Sequence, residues 1–125
     1  MNLLLDTHVL LWWLDDNPAL SERARIVIAD PENLVLVSAA VIWEIRIKQS
    51  IGKLDIPPNF RDILDREPFE MLDITADHAH AVGDLPPYHR DPFERMLVAQ
   101  AKVELLTLVT HDARLKQYGI PLIEV

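Results

Sequence analysis

Short apolar stretches alternate along the chain with segments that are long enough to form helices. The apolar stretches are residues 3–5, 34–37, 71–74, 105–109 and 121–125. Strands that are buried on both faces of a parallel sheet show such brief apolar runs. Because successive parallel strands need a crossover between them, the alternation predicts an α/β fold in which helices wrap a parallel sheet.

Helix signals lie in the intervening segments. Ser21 and Glu22 open a run to Ile28 that stops before Pro31, because proline disfavours helical backbone in the residue before it. The other predicted helices are an amphipathic stretch that begins at Pro57-Pro58, residues 76–82 behind Thr75, and residues 93–103 behind Asp91-Pro92. Residues 41–48 stay open between strand and helix, since their β-branched content and partial alternation suit both.

Composition excludes several kinds of site. The chain has no cysteine, which excludes zinc fingers, iron–sulfur clusters and thiol catalysis. Its three glycines are far apart, so neither a dinucleotide-binding loop nor a Walker loop is present. The net charge of −8 argues against a broad basic face that coats nucleic acid, but not against an enzyme that cuts nucleic acid in a metal site.

The length and the N-terminus give expectations about organisation and location. A chain of 125 residues predicts a single domain, residues 1–125, with a core of its own. The clearest apolar run, residues 9–14, is shorter than the roughly 20 residues that span a bilayer. No basic start precedes the apolar residues, and Asp6 comes where a signal peptide is still apolar. We expect a cytoplasmic protein without a membrane span.

Acidic residues recur where the predicted strands end, which is where open α/β sheets bind their ligands. Asp6 follows the first strand, Glu44 comes shortly after the second, and Asp112 follows the fourth. Asp91 and Glu94 bracket a helix start. Each also has a structural interpretation: Asp91 and Glu94 fit a capping box, Asp6 and Asp112 fit helix caps, and Glu44 fits either a solvated or a buried face.

These five acids together point to a metal site. Two carboxylates about 4 Å apart repel each other by about 4 kcal/mol at the effective dielectric of a protein surface. A cluster of them therefore needs cations. Oxygen ligands without cysteine suit Mg²⁺ or Mn²⁺, which leave coordination positions for water and substrate phosphate, as in nucleases.

A set of short motifs occurs in order along the chain. They are Leu4-Leu5-Asp6-Thr7-His8; Ser38 with Trp43-Glu44-Ile45 and Gly52-Lys53-Leu54; His89-Arg90-Asp91-Pro92-Phe93-Glu94-Arg95 with Ala99-Gln100-Ala101; Thr110-His111-Asp112; and Tyr118-Gly119-Ile120-Pro121-Leu122-Ile123. The set closely resembles PIN-domain ribonucleases of the VapC toxin type over essentially the whole chain. The resemblance implies an α/β/α sandwich around a parallel sheet, with Glu44 on a helix.

By carry-over, the resemblance also implies the metal ligands. The acids that would hold Mg²⁺ are Asp6, Glu44, Asp91 and Asp112, while Thr110 and Thr7 would orient water or phosphate. Glu94 departs from the family pattern, in which Asp is expected, so that it either joins the metal site or only caps its helix. The cations expected to contact flanking phosphates are Arg46, Lys48, Arg90, Arg95 and Arg114.

The implied function is that of a Mg²⁺-dependent endoribonuclease, the toxin of a toxin–antitoxin pair. Its expected partners are an RNA substrate, a cognate antitoxin and a second copy of the chain. Two other classes stay open. A phosphoacceptor receiver domain would need a second acid beside Asp6 and a lysine at the fifth strand, which residues 121–125 lack. A non-catalytic binding module would use the acids as caps alone.

The aromatic residues and histidines add weaker expectations. Trp12 and Trp13 cannot both point inward from one helix, so at least one is expected at an interface with a second copy or the antitoxin. The histidines beside motif acids, His8, His89 and His111, are expected to hydrogen-bond around the site. The remaining two, His78 and His80, are expected at the surface of one helix.

Overall fold

The computed structural model describes all 125 residues, which form five strands, six α-helices and a 3₁₀ helix. The strands are β1 (Asn2–Leu5), β2 (Leu34–Ser38), β3 (Glu70–Leu72), β4 (Thr107–Thr110) and β5 (Leu122–Glu124). The helices are α1 (Thr7–Leu14), α2 (Glu22–Ala29), α3 (Ala39–Ser50), α4 (Phe60–Asp65), α5 (Ala76–Val82) and α6 (Pro92–Glu104), and the 3₁₀ helix is Ala113–Tyr118. None of the helices has both the length and the apolar character to cross a membrane.

All five strands are parallel, in the order β3-β2-β1-β4-β5. The chain extends the sheet from β1 to one side and then returns to place β4 on the other side. The strand order therefore reverses between β1 and β4, which is the position where open α/β sheets bind ligands. In receiver domains the third strand is central, whereas here the central strand is β1, so the receiver alternative does not fit this topology.

Both faces of the sheet are covered. Leu3, Leu4 and Leu5 of β1 are fully buried, although successive side chains of a strand point to opposite faces. Leu108 and Val109 of β4 are also fully buried. Helices must therefore pack on both sides, which confirms the α/β/α sandwich.

The predicted helix starts agree with the structure. Side chains of Ser21, Thr75 and Asp91 accept hydrogen bonds from backbone N–H groups of the first turns of α2, α5 and α6. Residues 41–48 lie within α3, as the family resemblance implied. The helix expected from Pro57-Pro58 begins at Phe60, because residues 57–59 form a turn before it.

Two predicted strands have different bounds. The stretch 105–109 enters the sheet only at Thr107, because Leu105 ends α6 in the left-handed conformation with φ 56°. Leu105 is 86% exposed, so its apolar character does not reflect burial in a strand. The stretch 71–74 is shifted, since β3 is Glu70–Leu72 and pairs with β2 through Leu72 opposite Ser38.

Candidate active site

Three of the predicted acids are helix caps at the edge where β1 and β4 end. Asp6 caps α1 and accepts from the Val9 N–H at 2.8 Å. Asp91 caps α6 through its Oδ1, and Asp112 caps the 3₁₀ helix. Helix N-termini carry partial positive charge, which favours carboxylates there. Asp6, Asp91 and Asp112 are therefore helix caps and also members of the group of acids at this edge. The capping box predicted for Asp91 and Glu94 is wrong, because the Asp91 N–H donates to His89 Nδ1 and not to Glu94.

A buried hydrogen-bond network joins the ends of β1 and β4. Asp6 is fully buried, and its Oδ2 accepts from Thr110 Oγ1 at 2.5 Å and from the His111 backbone N–H at 3.3 Å. Thr110 Oγ1 in turn accepts from the Asp112 N–H at 3.0 Å. The His111 ring also contacts Asp6 Oδ2 at 3.3 Å, and this hydrogen bond raises the pKa of His111. The network fixes the orientation of the Asp6 carboxylate.

Glu44 enters the same region from α3. The residue is 3% exposed; Oε1 accepts from Thr7 Oγ1 and Oε2 accepts from Lys48 Nζ, each at 2.6 Å. Lys48 follows Glu44 by one helical turn, a spacing that places the two side chains side by side. The hydrogen bond to Glu44 raises the pKa of Lys48. Glu44 is therefore the buried carboxylate that sequence reasoning left open, with one ammonium as its counter-charge.

Asp112 is held by two cationic or polar side chains. Arg114 donates to both of its carboxylate oxygens, through Nε at 2.9 Å and Nη2 at 2.7 Å. His89 Nδ1 accepts from the Asp91 N–H at 3.1 Å, so its ring donates through Nε2 to Asp112 Oδ2 at 2.9 Å. The Arg114 hydrogen bond is the main reason why the pKa of Asp112 lies well below its usual range.

Glu94 is buried within range of the charges of the other four acids. It is 8% exposed, and its Oε2 is buried without a hydrogen-bond partner. Burial raises the pKa of Glu94 to about 8, and the neighbouring charges that add to this increase are those of Asp6, Asp91, Glu44 and Asp112. An orphaned, buried oxygen between carboxylates has a large desolvation cost that a cation would remove.

The donor chemistry of this pocket fits a hard cation, because all five side chains offer oxygen. The orphaned Glu94 oxygen fits as well, since it has no competing partner. No group of three or more Asp, Glu or His side chains is arranged as a ready set of metal ligands. The present hydrogen bonds account for this: Glu44 is turned to Lys48 and Asp112 to Arg114.

A family model described as the PIN domain matches residues 3–121 of this sequence. The chain belongs to the PIN-domain family. The resemblance inferred from the motifs is thereby confirmed at the level of the family. No curated protein matches this PIN domain in a sequence search.

Solved structures share the fold at low sequence identity. A chain in the structure of VapBC2 from Rickettsia felis, bound to a DNA fragment from its promoter, has a TM-score of 0.74 and 18% identity, with 99% of this chain and 98% of that chain covered. A chain in the structure of VapBC-5, a member of the VapBC toxin–antitoxin family from Mycobacterium tuberculosis, has a TM-score of 0.63 and 16% identity, with 99% of this chain and 98% of that chain covered. The structure of the PIN domain endonuclease Utp24 has a TM-score of 0.57 and 19% identity, with 99% of this chain and 84% of that chain covered.

The cationic side chains that were expected to contact phosphate differ in whether they are free to do so. Arg95 is turned inward, where its guanidinium donates to the backbone carbonyls of Val82, Leu85 and Pro86. It therefore stabilises the loop before α6 instead of being free for phosphate, contrary to expectation. Arg46, Arg90 and Arg114 are exposed, and Lys48 is half-buried.

One histidine prediction is wrong. His78 is 1% exposed, because its Nδ1 accepts from the Thr75 N–H and closes a capping box at the start of α5, against Gln100 of α6. A single sequence does not distinguish this capping histidine from a surface one. His80 is exposed, as predicted.

The three tryptophans of this PIN domain differ in exposure. Trp12 and Trp13 are both half-buried against the core, and Trp13 packs on Phe69. Trp43 is the indole with the largest exposure, at 59%, and contacts Phe93 edge to face. Sequence reasoning missed Trp43 as a surface residue, although its place one residue before the buried Glu44 is a signal, because neighbouring helical residues point in different directions. An interface at Trp12 or Trp13 stays a prediction.

Proposed function

We propose that this PIN domain is a Mg²⁺-dependent endoribonuclease that acts as the toxin of a toxin–antitoxin pair. The observation that carries the proposal is the buried Glu94 oxygen without a partner, on which the charges of four more carboxylates act near the switch point of the sheet. Membership of the PIN-domain family supports nuclease chemistry. Likeness to a chain from a VapBC toxin–antitoxin system supports the biological role.

In this proposal Asp6, Asp91 and Glu94 hold Mg²⁺, or Mn²⁺ in its place, while Glu44 and Asp112 complete the pocket. When bound, the metal lowers the pKa of a water molecule and offsets the charge that develops on the phosphodiester. Hydrolysis would leave a 5′-phosphate and a 3′-hydroxyl.

The other side chains position these groups and the substrate. Thr110 keeps the Asp6 carboxylate turned toward the pocket through its hydroxyl hydrogen bond. Thr7 does the same for Glu44. Exposed Arg90 and Arg46 are suited to contact phosphates on either side of the cleaved bond. Because the net charge is −8, RNA would be held by this local site and not by a broad basic surface.

The test is cleavage of RNA and of DNA of the same sequence, with Mg²⁺ and with chelator. We expect RNA cleavage that needs the metal, and near-complete loss of cleavage in Asp6→Asn and Asp91→Asn. In Asp91→Asn the side chain keeps the oxygen that accepts the capping N–H groups, so this variant should fold. Asp6→Asn keeps the oxygen that accepts from the Val9 N–H but places an NH₂ group where Oδ2 accepts from Thr110 and His111, so circular dichroism first checks that this variant is folded. Asp62→Asn on exposed α4 is the matched control and should keep wild-type activity. Full activity of purified Asp6→Asn, or cleavage of DNA alone, would contradict the proposal.

The proposed partners are a cognate antitoxin and a second copy of the chain. The acidic pocket suits a basic antitoxin side chain, which would enter it when the enzyme is silent. Adding the antitoxin should then stop cleavage, and sedimentation of Trp12→Ala and Trp13→Ala should show whether either indole supports the dimer or the antitoxin complex. A monomer at all concentrations would contradict the homodimer.

A further inference from the structure

Three aromatic rings form a cluster beside Asp6. The ring centroid of His8 lies 4.5 Å from that of His111 and 5.7 Å from that of Trp12, and the Trp12 and His111 centroids are 5.5 Å apart. The ring planes are inclined by 51° to 72°, so the rings do not lie flat on one another. His8 and Trp12 are one turn apart on α1, and His111 follows β4. The cluster therefore spans the same β1–β4 junction as the acids.

The outer side of this aromatic cluster is open to solvent. His8 and His111 are exposed, while Trp12 is half-buried and packs its inner side on the core. Packing on the core therefore accounts for the inner side of the Trp12 ring, but it does not account for the exposed rings of His8 and His111. Adjacent partly exposed rings, unlike a single one, are typical of a binding surface.

The cluster is directly joined to the carboxylate pocket. Both the backbone N–H and the ring of His111 contact Asp6 Oδ2 at 3.3 Å. A planar group stacked on one of these rings, with the inclined neighbours meeting its edge, would consequently sit next to whatever Asp6 binds. A nucleotide has this form, because its base and its phosphate are separated only by a sugar.

The charges that line the groove beyond the cluster favour a base over a phosphate. A groove of about 350 Å³ continues from His8 and Trp12, and neither Lys nor Arg lines it. Two acids, Asp15 and Asp55, do line it, together with apolar side chains. Phosphate would be repelled there, whereas an uncharged aromatic base would not.

We propose that His8, Trp12 and His111 form a stacking platform for an unpaired base next to the cleaved phosphodiester of single-stranded RNA. This inference rests on the proposed function, which supplies the cleavage site. Every base has a π face, so the platform would prefer unpaired over paired RNA and would discriminate weakly between bases.

The first experiment measures equilibrium binding of a short single-stranded RNA with Ca²⁺ in place of Mg²⁺. Ca²⁺ neutralises carboxylates without demanding the strict octahedral geometry of Mg²⁺, and gel analysis afterwards confirms that the RNA is intact. We expect Trp12→Leu and His8→Ala to weaken binding about tenfold. Trp12→Phe keeps a ring and should bind nearly as wild type. Trp43→Leu changes an exposed indole on α3 outside the cluster; it is the control and should bind as wild type.

A second measurement keeps the test valid if Trp12→Leu folds poorly. In Trp13→Phe/Trp43→Phe, Trp12 is the only indole left of three, and RNA should quench its fluorescence. An RNA with one abasic nucleotide at the stacked position should bind the wild type weakly and quench less. In His8→Ala, the same abasic change should cost less affinity than in the wild type.

The outcomes separate this inference from the proposed function. RNA that is cleaved in Mg²⁺ but binds equally to wild type, Trp12→Leu and His8→Ala overturns the platform and leaves the nuclease intact. RNA that binds and quenches Trp12 without being cleaved supports the platform and contradicts the nuclease. No binding and no quenching in the wild type overturns the platform.

Discussion

Glu94 is the residue whose environment is least explained by folding alone. Its carboxyl group is buried, one of its oxygens has no partner, and burial with four nearby acids raises its pKa to about 8. A folded protein without a cation would therefore hold Glu94 neutral near pH 7. With a cation bound, the charged form would be favoured instead.

This gives a prediction about stability against pH in the presence of chelator. Because the folded pKa of Glu94 is raised from 4.5 to about 8, the unfolded chain loses this proton first, so the free energy of unfolding falls as the pH rises through that window. Glu94→Gln cannot ionise and should be more stable than wild type at pH 9 by on the order of 5 kcal/mol. The two should converge near pH 4.5. Urea denaturation at several pH values measures the difference.

The control for Glu94→Gln is Glu70→Gln, which changes an exposed glutamate on edge strand β3. Its stability should follow that of wild type at every pH. Parallel curves for Glu94→Gln and wild type would show that the Glu94 pKa is not raised.

At the scale of the element, the end of α6 determines where β4 begins. Leu105 adopts φ 56° and ψ 53° and stops the helix, and its N–H donates to the Ala101 carbonyl. The left-handed conformation is unfavourable for a residue with a side chain, and an 86% exposed leucine has no packing that offsets it. This conformation turns the chain so that β4 enters the sheet in register beside β1, with Leu108 opposite Leu4.

Leu105→Gly should therefore stabilise the protein. Glycine adopts positive φ without steric cost, and the greater freedom of the unfolded chain offsets part of the gain, so we expect about 0.5–1 kcal/mol. The control is Lys102→Gly, which lies in the last turn of α6 and should destabilise by about 1 kcal/mol. Urea denaturation measures both. Equal destabilisation by the two substitutions would show that the conformation of Leu105 carries no strain.

At the scale of the whole molecule, most of the excess of acidic over basic residues belongs to one site. The net charge is −8, and the five acids of the candidate site lie together at one edge of the sheet. The site thus accounts for most of the excess of acidic residues. Self-repulsion of this kind destabilises the compact state until cations bind.

Divalent cations should accordingly raise the stability of the folded protein. When free Mg²⁺ exceeds its Kd a hundredfold, binding to the folded state alone adds about 2.7 kcal/mol to the free energy of unfolding. Thermal unfolding with Mg²⁺, against NaCl of equal ionic strength, measures this increase. For Asp6→Asn, Mg²⁺ should raise the unfolding temperature no more than NaCl does. An equal response of wild type to both salts would argue against a specific site.

Much of the architecture follows from local sequence. Brief apolar runs between helix-length segments indicated the parallel sheet, because burial of a strand on both faces leaves no polar positions. Ser21, Thr75 and Asp91 marked helix starts, because a cap bonds only to the next few N–H groups. The acids were found as candidates by one rule of topology, that ligands bind beyond the carboxyl ends of parallel strands.

Other features depended on which elements lie next to each other, and local patterns carry no information about that. The tertiary structure alone showed that the charges of the other acids act on Glu94. It also showed that Asp112 is hydrogen-bonded to Arg114 and His89, and that the Arg95 guanidinium donates to backbone carbonyls. It also buried His78 and joined His8, Trp12 and His111 into one cluster. The sequence by itself determined the elements and the kinds of side chain at their ends, because these interactions span a few residues. Only the folded chain decided the partners, because each partner comes from a distant segment brought close by packing.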